Sequence, residues 1–406
     1  MKQRCAVFVV FILALAVALA GPPARPNVQS AGAGPSQNTV PARFSLGGNA
    51  AQIPAQFSDN LIFLPVSLNG GKPSFFELDS SGNPTNADPS RVPAASDSAA
   101  LPAAIANCSL NLPGLELPMN LLPVSPRNEF GAQLGVAYQG TLGADFFARV
   151  VVVVDYARET VQLYDPAIYT YTGQGKSLPL KFAGNIPLVR AKFLIPGQRA
   201  LEADFEVNTA LDAAVMFSSA YTDAHRISAA HFRAAAASYP ALDGGAKIFL
   251  GRLKGFQLGP YAVEDVVAAF SQKGLPGVDK SVAGSIGGGF FRRFTVVFDF
   301  PHQRMIVDAN LQINKFAEED MSGLSIVAKG AGLKTFEIVQ VQQGTPGANA
   351  GIQPGDIISG IDDEPAADLT LLSVRDLFRQ VGHKYKLLIE RDGKTREVVV
   401  QMRRLV

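Results

Sequence analysis

Two short polar segments, each closing an apolar run, carry the residue types from which hydrolytic chemistry is built. The first is Phe75-Phe76-Glu77-Leu78-Asp79-Ser80-Ser81-Gly82, and the second is Ala203-Asp204-Phe205-Glu206-Val207-Asn208-Thr209-Ala210. Asp79 stands beside Ser80, and Asn208 beside Thr209. Asp79 can take up and release a proton. Asn208 fills nearly the same space but carries no proton near neutral pH. Asp204 and Asp212 lie four residues either side of Asn208. Asp204 falls on the same strand face as Asn208 but reads as an ordinary strand carboxylate. Gly284-Ser285-Ile286-Gly287-Gly288 has the outline of a serine nucleophile loop, yet none of His225, His231, His302 and His383 has a catalytic context. No metal is expected. There is no His-Glu-x-x-His, and His225 and His231 are six apart in an Ala-rich stretch, 218–238, that reads as a helix. No cofactor is expected either.

The elements that must position these residues come as a repeat. Leu142-Gly143-Ala144-Asp145-Phe146-Phe147-Ala148-Arg149 leads into the apolar run 150–154 and then Asp155. Ile286-Gly287-Gly288-Gly289-Phe290-Phe291-Arg292-Arg293 leads into 294–298 and then Asp299. An aromatic and a second β run follow each aspartate, at 160–164 and at 304–307. Upstream, 112–125 aligns with 258–271, each a Pro/Gly turn before a strand-like run. With the two polar elbows, that makes three matches in one order, the mark of a duplicated β domain.

This arrangement resembles the aspartic peptidases, the retropepsin-like and pepsin-like families with two lobes in one chain. The resemblance runs from about residue 60 to 310 and rests on the elbow and the apolar-apolar-Gly segment of each half. It implies that each lobe offers a strand ending in Asp-Thr/Ser-Gly, and that Leu142-Gly143 and Ile286-Gly287 cross behind the loops. Two carboxylates about 3 Å apart share one proton. One takes a proton from a bound water while the other polarises the peptide carbonyl. Here Asp79-Ser80-Ser81 replaces the glycine, and Asn208-Thr209-Ala210 lacks both the acid and the glycine. The expected machinery is therefore Asp79, Asn208, Ser80 and Thr209 with a degenerate dyad and absent or weak catalysis. The alternative is a working aspartic endopeptidase.

From about Ser322 the pattern changes. Gly344-Thr345-Pro346-Gly347-Ala348-Asn349-Ala350-Gly351-Ile352-Gln353-Pro354-Gly355-Asp356-Ile357-Ile358 resembles the long signature of bacterial PDZ domains. A helix over 371–380 and a closing hairpin turning at Asp392-Gly393 agree with it. The resemblance implies capture of an extended peptide, through its C-terminus, as an added strand. It maps the carboxylate-binding loop onto Gly323, Leu324, Ser325 and Ile326, with Val374 a candidate for the groove; Ser325 replaces the loop's second glycine. In the working alternative this domain recruits the substrate.

The whole chain is expected to be mainly β: two similar closed lobes of acid-protease type and a small α+β PDZ domain. Lys2 and Arg4 before an apolar run at 5–20, ending Ala18-Leu19-Ala20, read as a signal peptide over residues 1–20. A disordered, polar, Pro/Gly-rich linker is expected over 21–45, then lobes over 46–180 and 181–315, and the PDZ domain over 316–406. Export to the periplasm or outside the cell is the expectation, with no stable membrane span after cleavage. Cys108 is then the sole cysteine, so no internal disulfide forms. With 36 Lys+Arg against 35 Asp+Glu, no field gathers nucleic acid. The expected partners are peptides or protein C-termini, and two lobes in one chain make a monomer sufficient.

Overall fold

The computed structural model describes residues 40–45, 48–91, 103–125, 128–232, 235–239, 246–271, 280–314 and 318–406. The signal segment and residues 21–39 of the linker fall outside them. One correction arises at the linker's end, where Arg43–Phe44 forms a short strand on Leu115–Pro123. Phe44 finds apolar surface there, which overrides the loop-like composition around it.

The fold is mainly β, with two similar β lobes followed by a small α+β module. In the first lobe, Ser74–Leu78 runs parallel to Tyr138–Leu142, which pairs antiparallel with Asn86–Ala87. In the second, Leu201–Val207 runs parallel to Val282–Ile286, which pairs antiparallel with Val215–Phe217. Each chain thus leaves its elbow and returns on the far side of the crossing strand. The crossing is tight. A Cβ on Gly143 would lie 2.1 Å from the Asn83 carbonyl oxygen, and one on Gly287 2.3 Å from that of Ala213. Only glycine closes these two loops.

After each crossing strand comes one helical turn, Ala144–Phe147 or Gly288–Phe291, and then a β-branched or aromatic strand. Those strands, Val151–Asp155 and Phe294–Asp299, pair with each other antiparallel at the centre of a six-stranded sheet. One apolar cluster reaches from Ala51 to Val307 and fills both lobes. Without tryptophan, phenylalanine supplies its bulk. Phe193, Phe205, Phe217 and Phe256 meet edge to face, and Phe217, Phe270 and Phe249 stack in sequence. The C-terminal module has its own cluster, from Met321 to Met402.

The Ala-rich stretch is not one helix. A short helix, Ser219–Ala224, is capped by the Ser218 hydroxyl, a single 3-10 turn spans Ala229–His231, and Ala235–Tyr239 is a strand. That strand pairs with Ala246–Leu258, so sheet pairing outweighs the helix preference of alanine. His225 stacks on Tyr221 and His231 bonds Ser228. They share no helix. Among the described residues, no helix is long and apolar enough to cross a membrane.

Candidate active site and peptide groove

The two elbows meet. Ser80 Oγ donates to the Val207 carbonyl at 2.7 Å and accepts from the Thr209 N–H at 3.0 Å. Reciprocally, Thr209 Oγ1 donates to the Leu78 carbonyl at 2.6 Å and accepts from the Ser80 N–H at 3.0 Å. Both hydroxyls are fully buried. Four hydrogen bonds thus lock the end of each elbow strand to the start of the other loop, with Asp79 and Asn208 at equivalent positions of the two joined elbows.

Those two side chains are held alike. Asp79 Oδ1 accepts from the Ser81 N–H at 2.8 Å, and Asn208 Oδ1 from the Ala210 N–H at 2.9 Å. Their own N–H groups donate to Leu142 and Ile286 carbonyls, each at 3.0 Å. They differ at the second atom. Asp79 Oδ2 accepts from Asn83 Nδ2 at 3.1 Å, whereas Asn208 Nδ2 donates to Glu206 Oε2 at 3.3 Å.

Glu206 and Asn83 are the participants that sequence reasoning missed. Glu206 sits two residues before Asn208 on the same strand face, the alternation that drew attention to Asp204. Asp204 instead pairs with Lys181 and Arg190, as an ordinary strand carboxylate does. Glu206 is buried, and its Oε2 also accepts a short hydrogen bond from Ser285 Oγ. Ser285 therefore supports the second elbow rather than heading a nucleophile loop. Glu77 stands opposite Thr141 in the first lobe as Glu206 stands opposite Ser285 in the second.

Burial pushes Glu206 up to about 7, and the Asp79 charge adds to it, against the pull of Ser285 and Asn208. An acid raised in this way holds a proton that the unfolded chain releases. Its share of stability is whole below about 4.5, the ordinary value, and is lost as pH rises through about 7. Glu206→Gln should therefore remove roughly 2–4 kcal/mol of the loss in stability between acid and alkaline pH. Denaturant unfolding at about pH 5 and pH 8 measures it. An unchanged difference between wild type and variant would refute the buried-proton assignment.

In the C-terminal module, Leu324–Lys329 is an edge strand beside the helix Leu371–Phe378. Gly323 takes a left-handed turn, φ +71°, and its carbonyl accepts from Gln342. The Leu324 N–H already donates to Ser322 Oγ at 3.1 Å, so one of the expected carboxylate donors is engaged. A bulge between Ser325 and Ile326 shifts the register there. Val374 is fully buried in one cluster with Leu324 and Ile326. The closing hairpin turns at Asp392 and Gly393, both at positive φ, as their sequence predicts.

A family profile described as a PDZ domain matches residues 337–391, and this part of the chain is a PDZ domain. Such a domain binds peptides or protein C-termini. Among solved structures, the chain is similar to an aspartic proteinase from Irpex lacteus. The identity is 13%, over 66% of this chain and 99% of that one, with a TM-score of 0.40. No curated protein matches it.

Proposed function

We propose that this chain is an exported peptide-binding protein, with a bilobal aspartic-peptidase-like body that has lost its dyad and a PDZ domain that recruits chain ends. The observation that carries the reading is the contrast at the elbows. The interlock of Ser80 with Thr209 is complete, yet Asn208 stands where the second acid belongs. Asp79 accepts from Ser81 and Asn83, and the Asn208 amide is tied to Glu206. One carboxylate beside an amide offers an acceptor and a donor to an extended backbone but no shared proton.

A second reading has one observation in its favour. Glu206 lies within electrostatic reach of Asp79 and is raised far enough to hold a proton near neutral pH. Under that reading the chain is a slow endopeptidase whose substrate the PDZ domain positions. One experiment separates them: incubate the protein with a mixed peptide library over about pH 3 to 7, beside Asp79→Ala, and follow both retention and cleavage. The expected result is retention of peptides with free carboxyl ends and no cleavage. Cleavage by wild type that vanishes in Asp79→Ala would establish the enzyme.

A further inference from the structure

A peptide added to the edge strand Leu324–Lys329 would lie between that strand and the helix Leu371–Phe378. The first lobe already occupies this flank. Its helix Asn128–Leu134 packs alongside the edge strand. Gly135, which ends that helix at φ +69°, sits so close to Leu371 that a Cβ would lie 2.7 Å from the leucine Cβ.

Arg375 of the groove helix and Arg379, which caps its C-terminal end, fasten the contact. Arg375 donates to Asp59 Oδ2 at 2.7 Å and to the Gln133 carbonyl at 2.5 Å. Arg379 pairs with Asp59 Oδ1 at 2.8 Å. The Asp59 side chain is 2% exposed. Burial works against its charge, but Arg379 and Arg375 outweigh it and hold the carboxyl below the usual range. Asp59 sits in the two-residue turn between Gln56–Ser58 and Leu61–Leu68, and the turn is anchored from behind. Asn60 Nδ2 donates to the Asp212 carbonyl of the second lobe at 2.8 Å. The fastening therefore joins the groove helix to a turn that also contacts the second lobe.

We infer that the helix Asn128–Leu134 is an intramolecular cover on the PDZ groove, latched by Asp59 to Arg375 and Arg379, and that peptide capture requires its release. The inference rests on the peptide-binding reading of the PDZ domain and adds its regulation. If the cover is closed nine-tenths of the time or more, measured affinity is reduced about tenfold or more.

The test uses the full chain. A pool of labelled ten-residue peptides, random except for a C-terminal Val, Leu or Phe, is titrated by fluorescence polarisation, with the amidated pool as control. Asp59→Asn opens the latch from the lobe side and leaves the groove unaltered. Gly135→Val wedges the helix from Leu371 and keeps the latch carboxylate, so it remains informative if Asp59→Asn fails to fold. Hydrogen exchange over 128–134 and 324–329 reports opening without peptide. Expected are faster exchange in both segments and at least about tenfold tighter binding of the free-carboxylate pool alone. Faster exchange with affinity equal to a measurable wild-type value would overturn the cover and leave peptide binding standing. Unchanged exchange in a folded variant would overturn the latch. Faster exchange with neither pool bound would overturn the PDZ reading and the cover with it.

Discussion

Asn208→Asp should raise peptide hydrolysis by about 10²–10⁴-fold over the natural chain, the range a positioned general acid–base group contributes. The substitution asks nothing of the backbone. Asn208 already accepts from the Ala210 N–H as Asp79 accepts from Ser81, and both main chains are pinned to their crossing strands at 3.0 Å. What the new carboxyl adds is a second titrating group beside Asp79, and with it a proton for the pair to share. One obstacle is specific to this chain. The amide that donated to Glu206 Oε2 at 3.3 Å would give way to a carboxyl group, which faces a second carboxylate wherever Glu206 has lost its proton. Glu206 keeps that proton only below about pH 7, so activity is confined to the acid side. Adding Glu206→Gln restores a donor and should extend activity toward neutrality. Turnover of a fluorogenic peptide pool across about pH 3 to 7 measures both effects. A folded but inert Asn208→Asp protein would show that the cleft no longer admits an extended chain.

The second large effect concerns the interlock itself. Thr209→Val keeps the shape but removes a hydroxyl that satisfies the Leu78 carbonyl and the Ser80 N–H, both buried. Each orphaned group costs about 1–3 kcal/mol, so roughly 2–6 kcal/mol should be lost. Ser80→Ala strands the Val207 carbonyl and Thr209 N–H in the same way. The double variant should fall short of the sum, because the four bonds share one interface. Thr209→Ser keeps the hydroxyl and should retain most of the stability. Denaturant midpoints read all four proteins. A Thr209→Val cost under about 1 kcal/mol would mean that water or a shifted backbone fills the gap.

The elbows were legible in the sequence because an apolar strand that ends in an acid, or its amide, beside a hydroxyl is a local pattern. The repeat was legible because its spacings recur, and the hairpin at Asp392-Gly393 because those residues tolerate positive φ. The Ala-rich stretch was misread since its partner strand, Ala246–Leu258, supplies pairing that no local propensity reveals. Glu206 escaped for a similar reason. Its alternation with Asn208 was visible, but Ser285, 79 residues away, shows its role only once the strands cross. Asp59 and Arg375 are 316 residues apart, and nothing local joins them.

The antiparallel pairing of Val151–Asp155 with Phe294–Asp299 unites two lobes written by a single gene. In an assembly of two identical subunits, every codon is read twice, and a change that removes one acid removes its mate. A chain that carries both halves can alter one elbow and keep the other. Asp79 and Asn208 differ in this way at matching positions of the two elbows.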